Sequence, residues 1–223
     1  MLHVPVLLEE TLAWLGPSFG GRDGLLVDCT VGLGGHAEAF LERHPRARLV
    51  GVDRDPEALR RSAERLAPFA DRVRWIEGNF HRLDELLAQH GLERPAGILA
   101  DLGVSSMQLD RPERGFSFRF DGPLDMRMGA DGPTAADIVN RYPEADLERI
   151  FREYGEERQA RRIARAIVAE RVDRPFASTG QLRATVIRAK GGAGGREGRV
   201  DPATRTFQAL RIEVNEELAG LER

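Results

Sequence analysis

Cysteine occurs once in these 223 residues, at Cys29, so neither a disulfide framework nor a cysteine-built zinc site can form within one chain. No apolar run approaches the roughly 18 residues that a membrane-spanning helix needs. The opening Met1-Leu2-His3-Val4-Pro5 lacks the basic region and apolar stretch of a signal peptide. Lysine is almost missing: 32 of the 33 basic residues are arginine, and Lys190 is the exception. Asparagine is confined to Asn79, Asn140 and Asn215. Few asparagines fit a thermostable protein, whereas arginine in place of lysine follows equally from genomic base composition. A large net charge is lacking too; at -3, with 41% hydrophobic residues, the chain is not globally disordered. The expectation is a soluble, cytoplasmic α/β protein, either one domain or one domain carrying an insertion.

What is present is unevenly distributed. Residues 158–211 hold 13 basic and 4 acidic side chains, net +9, while residues 101–157 hold 7 and 13, net -6. A segment of that sign in an acidic protein is a candidate surface for a polyanion. The plainer reading is a solvated helix face whose arginines pair with acids elsewhere in the fold.

The first hundred residues alternate strand and helix signals. Leu25-Leu26-Val27 runs into Asp28 and then Gly32-Leu33-Gly34-Gly35, with a helix predicted from Ala37 to Arg43. Leu49-Val50-Gly51-Val52 ends at Asp53, before a helix over Pro56–Leu66 that proline opens. Val73-Arg74-Trp75-Ile76 is a third strand, Leu83–Gln89 a helix, and Gly97-Ile98-Leu99-Ala100 a fourth strand ending at Asp101. This alternation predicts βαβ units and a parallel sheet, with ligands at the strand ends. Residues 103–133 read as ordered loop. Helices are predicted at Ala136–Asn140, Ala145–Tyr154, Glu157–Val172, Thr179–Ala189 and 202–222, with a glycine-rich loop over Lys190–Arg199. A helical insertion following the fourth strand results.

Asp28-Cys29-Thr30-Val31-Gly32-Leu33-Gly34-Gly35-His36 leaves a strand and opens a helix, where glycines let backbone N–H groups approach a ligand. Asp53, 19 residues beyond Gly34, ends the next strand, the place for a carboxylate that accepts from ribose hydroxyls. The pattern speaks for an adenosine-bearing cofactor. A dinucleotide fingerprint would put a third glycine where Ala37 stands, and no arginine lies in the turn to meet a pyrophosphate. An acid before the glycines, Asp28, suits a cationic amino-acid end, so S-adenosylmethionine is preferred. Phe80, in Gly78-Asn79-Phe80 after the third strand, could stack adenine or could be core. Asp101, by itself, reads as a strand-end turn or cap as readily as a catalytic group.

Several segments together resemble a known family. They are His3-Val4-Pro5-Val6-Leu7-Leu8, Gly34-Gly35-His36 with Asp53-Arg54-Asp55, and Asp101-Leu102-Gly103-Val104-Ser105-Ser106-Met107-Gln108-Leu109-Asp110. Arg114-Gly115-Phe116-Ser117-Phe118, Gly122-Pro123-Leu124-Asp125-Met126-Arg127-Met128, Tyr154-Gly155-Glu156-Glu157-Arg158 and Pro202-Ala203-Thr204-Arg205-Thr206-Phe207-Gln208-Ala209-Leu210-Arg211-Ile212 complete the set. The chain resembles the RsmH (MraW) methyltransferases, which methylate N4 of a cytidine in the decoding centre of 16S rRNA. The resemblance implies a class I, Rossmann-like methyltransferase domain over residues 1–107 and 206–223, with a helical RNA-recognition domain inserted over 108–205. It implies cofactor contacts at Gly34, Gly35, His36, Asp53, Phe80, Asp101 and Gln108, and no metal. The implied partner is 16S rRNA, within the small ribosomal subunit, without a membrane; a homodimer is left open. Met107 replaces a proline usual before the Gln, and the family continues past Leu221 with further strands, so the chain reads as lacking its last sheet strands.

Amino methyltransferases often follow the fourth strand with an Asp/Asn/Ser-Pro-Pro-aromatic segment. Asp101-Leu102-Gly103-Val104 stands there without the prolines or the aromatic, so Asp101, or the carbonyls beside it, is the candidate that polarises the amine. A base leaving its stack could be received by Phe116, Phe118 or Phe120, which read equally as loop core. Arg158, Arg161, Arg162 and Arg165 fall on one helix face, opposite Ile163, Ala166 and Ile167, and are expected to meet phosphates. Competing readings are another methyl acceptor, a silent cofactor- or subunit-binding module, and a nucleotide-binding oxidoreductase.

Overall fold

The computed structural model describes residues 5–92, 94–192 and 200–218, leaving out the side chains of Ser106 and Met107. It divides into two compact units, the first running to Gly103 and the second from Val104 to Leu218.

The first unit is a parallel sheet between two layers of helix. Helix α1 (Leu8–Phe19) precedes β1 (Gly24–Asp28), α2 (Gly35–Arg43), β2 (Ala47–Asp53), α3 (Pro56–Arg65), β3 (Val73–Glu77), α4 (Leu83–Gln89) and β4 (Gly97–Leu99). All pairings are parallel, in the order β3-β2-β1-β4. Side chains alternate across a strand, so one short apolar run serves both faces. Leu26 and Leu49 enter a core with Leu12, Phe19, Phe40 and Leu41. Their neighbours Leu25, Val27, Val50 and Val52 enter a second core with Ile76, against which Phe80, Leu83 and Leu86 pack. Asp55 caps α3 by accepting from the Glu57 N–H, with Pro56 at the first helical position. Helix α1 was not foreseen: Gly16 and Pro17 look like breakers, yet Leu12 and Phe19 bury one face on the sheet.

In the second unit, a short helix α5 (Ser106–Leu109) and a long ordered loop lead into α6 (Ala135–Arg141), α7 (Glu144–Glu153), α8 (Ala160–Asp173), α9 (Thr179–Ala189) and α10 (Thr204–Asn215). Their core includes Ile138, Leu147, Phe151, Ile163, Ile167, Leu182, Val186 and Leu210. Here the sequence-based boundary needs correction. Residues 206–218, expected with the sheet, pack in the helical unit, because α10 buries Phe207, Ala209, Leu210 and Val214 in that core, against α6 and α7. Helix α10 also stops at Asn215, earlier than expected, where Glu216 turns left-handed; residues 219–222 of the expected helix lie outside the described residues, as does most of the predicted glycine-rich loop.

Asn215 has a second task. Its amide accepts from the Met128 N–H at 2.8 Å and donates to the Met126 carbonyl at 2.8 Å. Those bonds hold Met126, fully buried with φ +65°, in a conformation that costs an L-residue about 1–2 kcal/mol. The single lysine is also structural. Lys190 Nζ donates to Glu157 Oε2 at 2.5 Å and to the Pro202 carbonyl at 2.8 Å, with the two side chains 18% and 3% exposed.

Candidate active site

The order β3-β2-β1-β4 means that successive crossovers step one way from β1 to β3, then the chain returns to the other side of β1. In such a sheet the crevice forms at the carboxyl ends of the two strands flanking the reversal, here β1 and β4. Asp28 ends β1, Asp53 ends β2, and Asp101 lies two residues past β4. Short connections from three neighbouring strands thus bring three carboxylates to one edge.

Backbone bonds fix this edge. The Cys29 N–H donates to the Leu99 carbonyl at 2.8 Å, and the Val31 N–H to the Val52 carbonyl at 3.1 Å, tying the turn after β1 to both neighbours. The Gly32 N–H donates to Asp53 Oδ2 at 2.9 Å, and the Asp55 N–H to Asp53 Oδ1 at 3.0 Å. The Arg54 N–H also lowers the carboxylate, so Asp53 is held by backbone donors from both its own turn and the glycine turn. Gly34 has φ +74°, which favours glycine, and a Cβ there would sit a tight 3.3 Å from the Ser62 side chain. Gly35 is approached from above: a Cβ would lie 2.5 Å from Pro5, whose segment rests on the turn.

Burial sets the electrostatics. Asp28 is 2% exposed, and desolvation pushes its carboxyl up to about 7, against the Thr30 N–H that it accepts; the nearby Asp53 and Asp101 charges add to the rise. Burial likewise raises Asp53, partly offset by the Asp55 and Gly32 N–H groups. Cys29, in the same turn, is buried with its thiol pushed up to about 12, mainly by desolvation and further by Asp28, which leaves it unreactive.

Thr30 was not among the predicted site residues. Its N–H bonds Asp28 at 3.2 Å, and its hydroxyl accepts from the Asp101 N–H at 2.7 Å, so one residue joins two of the three acids. No spacing rule marks such a threonine, because its partner lies 71 positions away.

The remaining predicted residues divide. Asp101 is exposed at the edge, and Phe80 is half-buried against the second core, its ring edge-on to His81 at 4.6 Å. The His36 ring is held at 2.9 Å from the Val6 carbonyl rather than turned to the acids. Gln108 belongs to the second unit, buried, its Oε1 accepting from the Ser105 N–H at 3.0 Å. Phe116 is buried, and Phe118 stacks edge-on to Phe207 at 4.9 Å, so both are loop core; Phe120 is 68% exposed. Arg158, Arg161, Arg162 and Arg165 are all exposed, the last three on α8 and Arg158 just before it. Among the described residues no helix is long and apolar enough to cross a membrane.

Proteins named ribosomal RNA small subunit methyltransferase H are similar along almost the full chain. The one from a Nocardioides species is 54% identical over 222 residues, covering 99% of this chain and 69% of that protein. Those from Thermobifida fusca and Carboxydothermus hydrogenoformans are each 53% identical, over 99% of this chain and 67% and 69% of theirs. The family model described as the MraW methylase family matches residues 1–223, and with the parallel sheet and its acidic carboxyl edge in place, the chain belongs to that family.

Proposed function

We propose that this protein is an S-adenosylmethionine-dependent methyltransferase that acts on 16S ribosomal RNA, placing a methyl group on N4 of a cytidine. The observation that carries the reading is the carboxyl edge of the sheet, where a glycine turn with no cation of its own meets Asp28, Asp53 and Asp101 in a chain of the MraW family; the Arg65 guanidinium that reaches Gly35 is paired with Glu38. Membership and the relatives' names support the ribosomal RNA substrate; the base and atom are our assignment.

The donor set at the edge fits this cofactor. From Asp28 to His36 the turn offers one acid, backbone N–H groups and no arginine or lysine of its own, and Asp53 stands beside it, which suits hydroxyls and an ammonium better than a pyrophosphate. Ala37 occupies the position of a dinucleotide fingerprint's third glycine and is fully buried in the first turn of α2. We assign Gly34 and Gly35 to backbone contact, Asp53 to the ribose, Phe80 to the adenine side, and Asp28, from beneath the turn, to the field that favours a cationic end. His36 and Gln108 act here as residues that shape the surrounding chain, given the Val6 and Ser105 groups they hold.

When bound, S-adenosylmethionine supplies an electrophilic methyl group without help from the protein. What the chain must do is position and deprotonate the acceptor. The exocyclic amine of cytosine has its lone pair delocalised into the ring. An acceptor on its N–H favours rehybridisation and then takes the proton. Asp101 is the exposed carboxylate at the edge, and Thr30 fixes its backbone. Asp101 is the catalytic residue in this reading, and Thr30 a positioning residue.

The test is incubation with labelled S-adenosylmethionine and unmethylated small ribosomal subunits, followed by mass spectrometry of the nucleosides. N4-methylcytidine is the expected product. A methyl group on another base or atom would overturn the assignment of N4, and cofactor binding without any transfer would favour a silent binding module.

A further inference from the structure

The exposed face of α8 carries a feature that chemistry at the sheet edge does not use. Arg158, Gln159, Arg161, Arg162 and Arg165 line a concavity of about 580 Å³. Among the described residues no carboxylate pairs with Arg158, Arg161 or Arg162, and Arg165 comes only within 3.8 Å of Glu144. Several other arginines of this unit have internal partners. Arg183 pairs with Asp201, Arg188 with Glu170 and Arg152 with Glu148, while Arg171 donates to the Val139 and Tyr142 carbonyls.

The stripe also works against its own helix. Arg161 and Arg165 stand four residues apart on α8, and like charges at that spacing destabilise a helix by a few tenths of a kcal/mol. Arg161 and Arg162 fall in the first turn, where the helix dipole disfavours cations, and that turn holds no acid. Among the described residues no carboxylate closer than Glu144 returns this cost. The opposite face, Ala160, Ile163, Ala164 and Ile167, is buried, so the guanidinium groups project from a rigid support. Guanidinium forks match phosphate oxygens in pairs and remain charged at any physiological pH.

We propose that this face binds the phosphodiester backbone of RNA, with the guanidinium groups of Arg158, Arg161, Arg162 and Arg165 on successive phosphates. The choice of RNA among polyanions rests on the methyltransferase reading above; the anion site itself rests on the stripe.

The test is fluorescence anisotropy of the full chain with a labelled single-stranded RNA 20-mer, titrated with salt. Two double variants carry the same change in net charge: Arg161→Glu/Arg162→Glu on the stripe, and Arg141→Glu/Arg152→Glu at exposed positions paired with Asp137 and Glu148. The stripe variant should lose at least about tenfold in affinity, and its slope of log K against log salt should flatten by about 1.4, or 0.7 per lost contact. The control should lose less than about threefold. Equal losses in both would reduce the effect to net charge and overturn the site, as would unchanged binding in the stripe variant. Competition by polyglutamate as strong as by unlabelled RNA would reassign the face to acidic protein. Transfer to small subunits, measured on the same proteins, separates the two claims. Methylation by the parent chain with an unaltered KM in the stripe variant removes the site and keeps the function. No methylation by the parent chain, with stripe-dependent RNA binding intact, does the reverse.

Discussion

The acids at the sheet edge and the arginines on α8 are opposite in construction as well as in sign. Asp28 and Asp53 sit in a desolvated turn where backbone N–H groups occupy part of each carboxylate, and Asp28 holds its proton to about neutral pH. Arg158, Arg161, Arg162 and Arg165 stand in water, and among the described residues no carboxylate lies within ion-pair distance of them beyond the long Arg165–Glu144 approach. Charge placed in low dielectric must be matched locally or titrated away, so the acidic edge shows its purpose through burial and pKa. Exposed charge is almost free, so burial says nothing about α8; there, the missing partners and the unfavourable helix position carry the meaning.

Asp101→Asn should lower turnover by two to four orders of magnitude, the usual worth of a positioned general base, while S-adenosylmethionine binding by calorimetry changes little. Near-normal turnover would move proton acceptance to the neighbouring carbonyls. Lys190→Met should cost about 3 kcal/mol in denaturant unfolding, because Glu157 is left buried and unmatched, and adding Glu157→Leu should recover most of it. That variant asks whether buried charge in the helical unit obeys the rule inferred for the sheet edge.

Asp28 gives a pH signature. The folded state keeps the proton to about 7, whereas the unfolded chain releases it near 3.8, so between those values the folded state binds more protons. Stability therefore falls as pH rises from about 4 to 7, by at most roughly 4 kcal/mol from this group, and is level above. Asp28→Asn should lack that fall, and its advantage over the parent chain should be larger at pH 8 than at pH 5. A cationic ligand end favours the ionised acid, so S-adenosylmethionine should bind more tightly at pH 8 than at pH 6 in the parent chain only. The smallest effect belongs to Arg161→Glu/Arg162→Glu, whose unfolding free energy should rise by up to about 1 kcal/mol, because acids suit the first turn of α8 and Arg165 then faces an opposite charge four residues away. A loss would mean the stripe has internal partners after all.

Much of the sheet was legible because its signals are local. Apolar runs closed by Asp28, Asp53 and Asp101 located three strand ends, and Thr179–Ala189 emerged as α9 with the same limits. Helix α1 was hidden by Gly16 and Pro17, since burial of Leu12 and Phe19 on the sheet outweighs their propensity. The placement of α10 could not be read from its own residues: an amphipathic helix states that it has an apolar face, not which core receives it. The acids were legible as chemistry, and Thr30 was not, because its role is a contact made only after β4 pairs with β1. His36 and Gln108 were found through family resemblance, which marks that a residue matters without saying what it touches. Phe116 and Phe118, offered as receivers for a base, are claimed by the loop core, which is the commoner fate of aromatic residues at such positions.

One consequence of the lone lysine reaches into how this molecule can be probed. The chain's single ε-amine is committed to Glu157 and the Pro202 carbonyl. Amine-directed cross-linkers, acylating labels and surface-coupling chemistries will therefore find few handles on either unit, and a sparse cross-link map would not mean that RNA or a ribosomal protein is distant. Dicarbonyl reagents that modify guanidinium groups reverse the situation. With Arg158, Arg161, Arg162 and Arg165 exposed, this face should be among the first surfaces to react, and its protection by added RNA could be followed peptide by peptide.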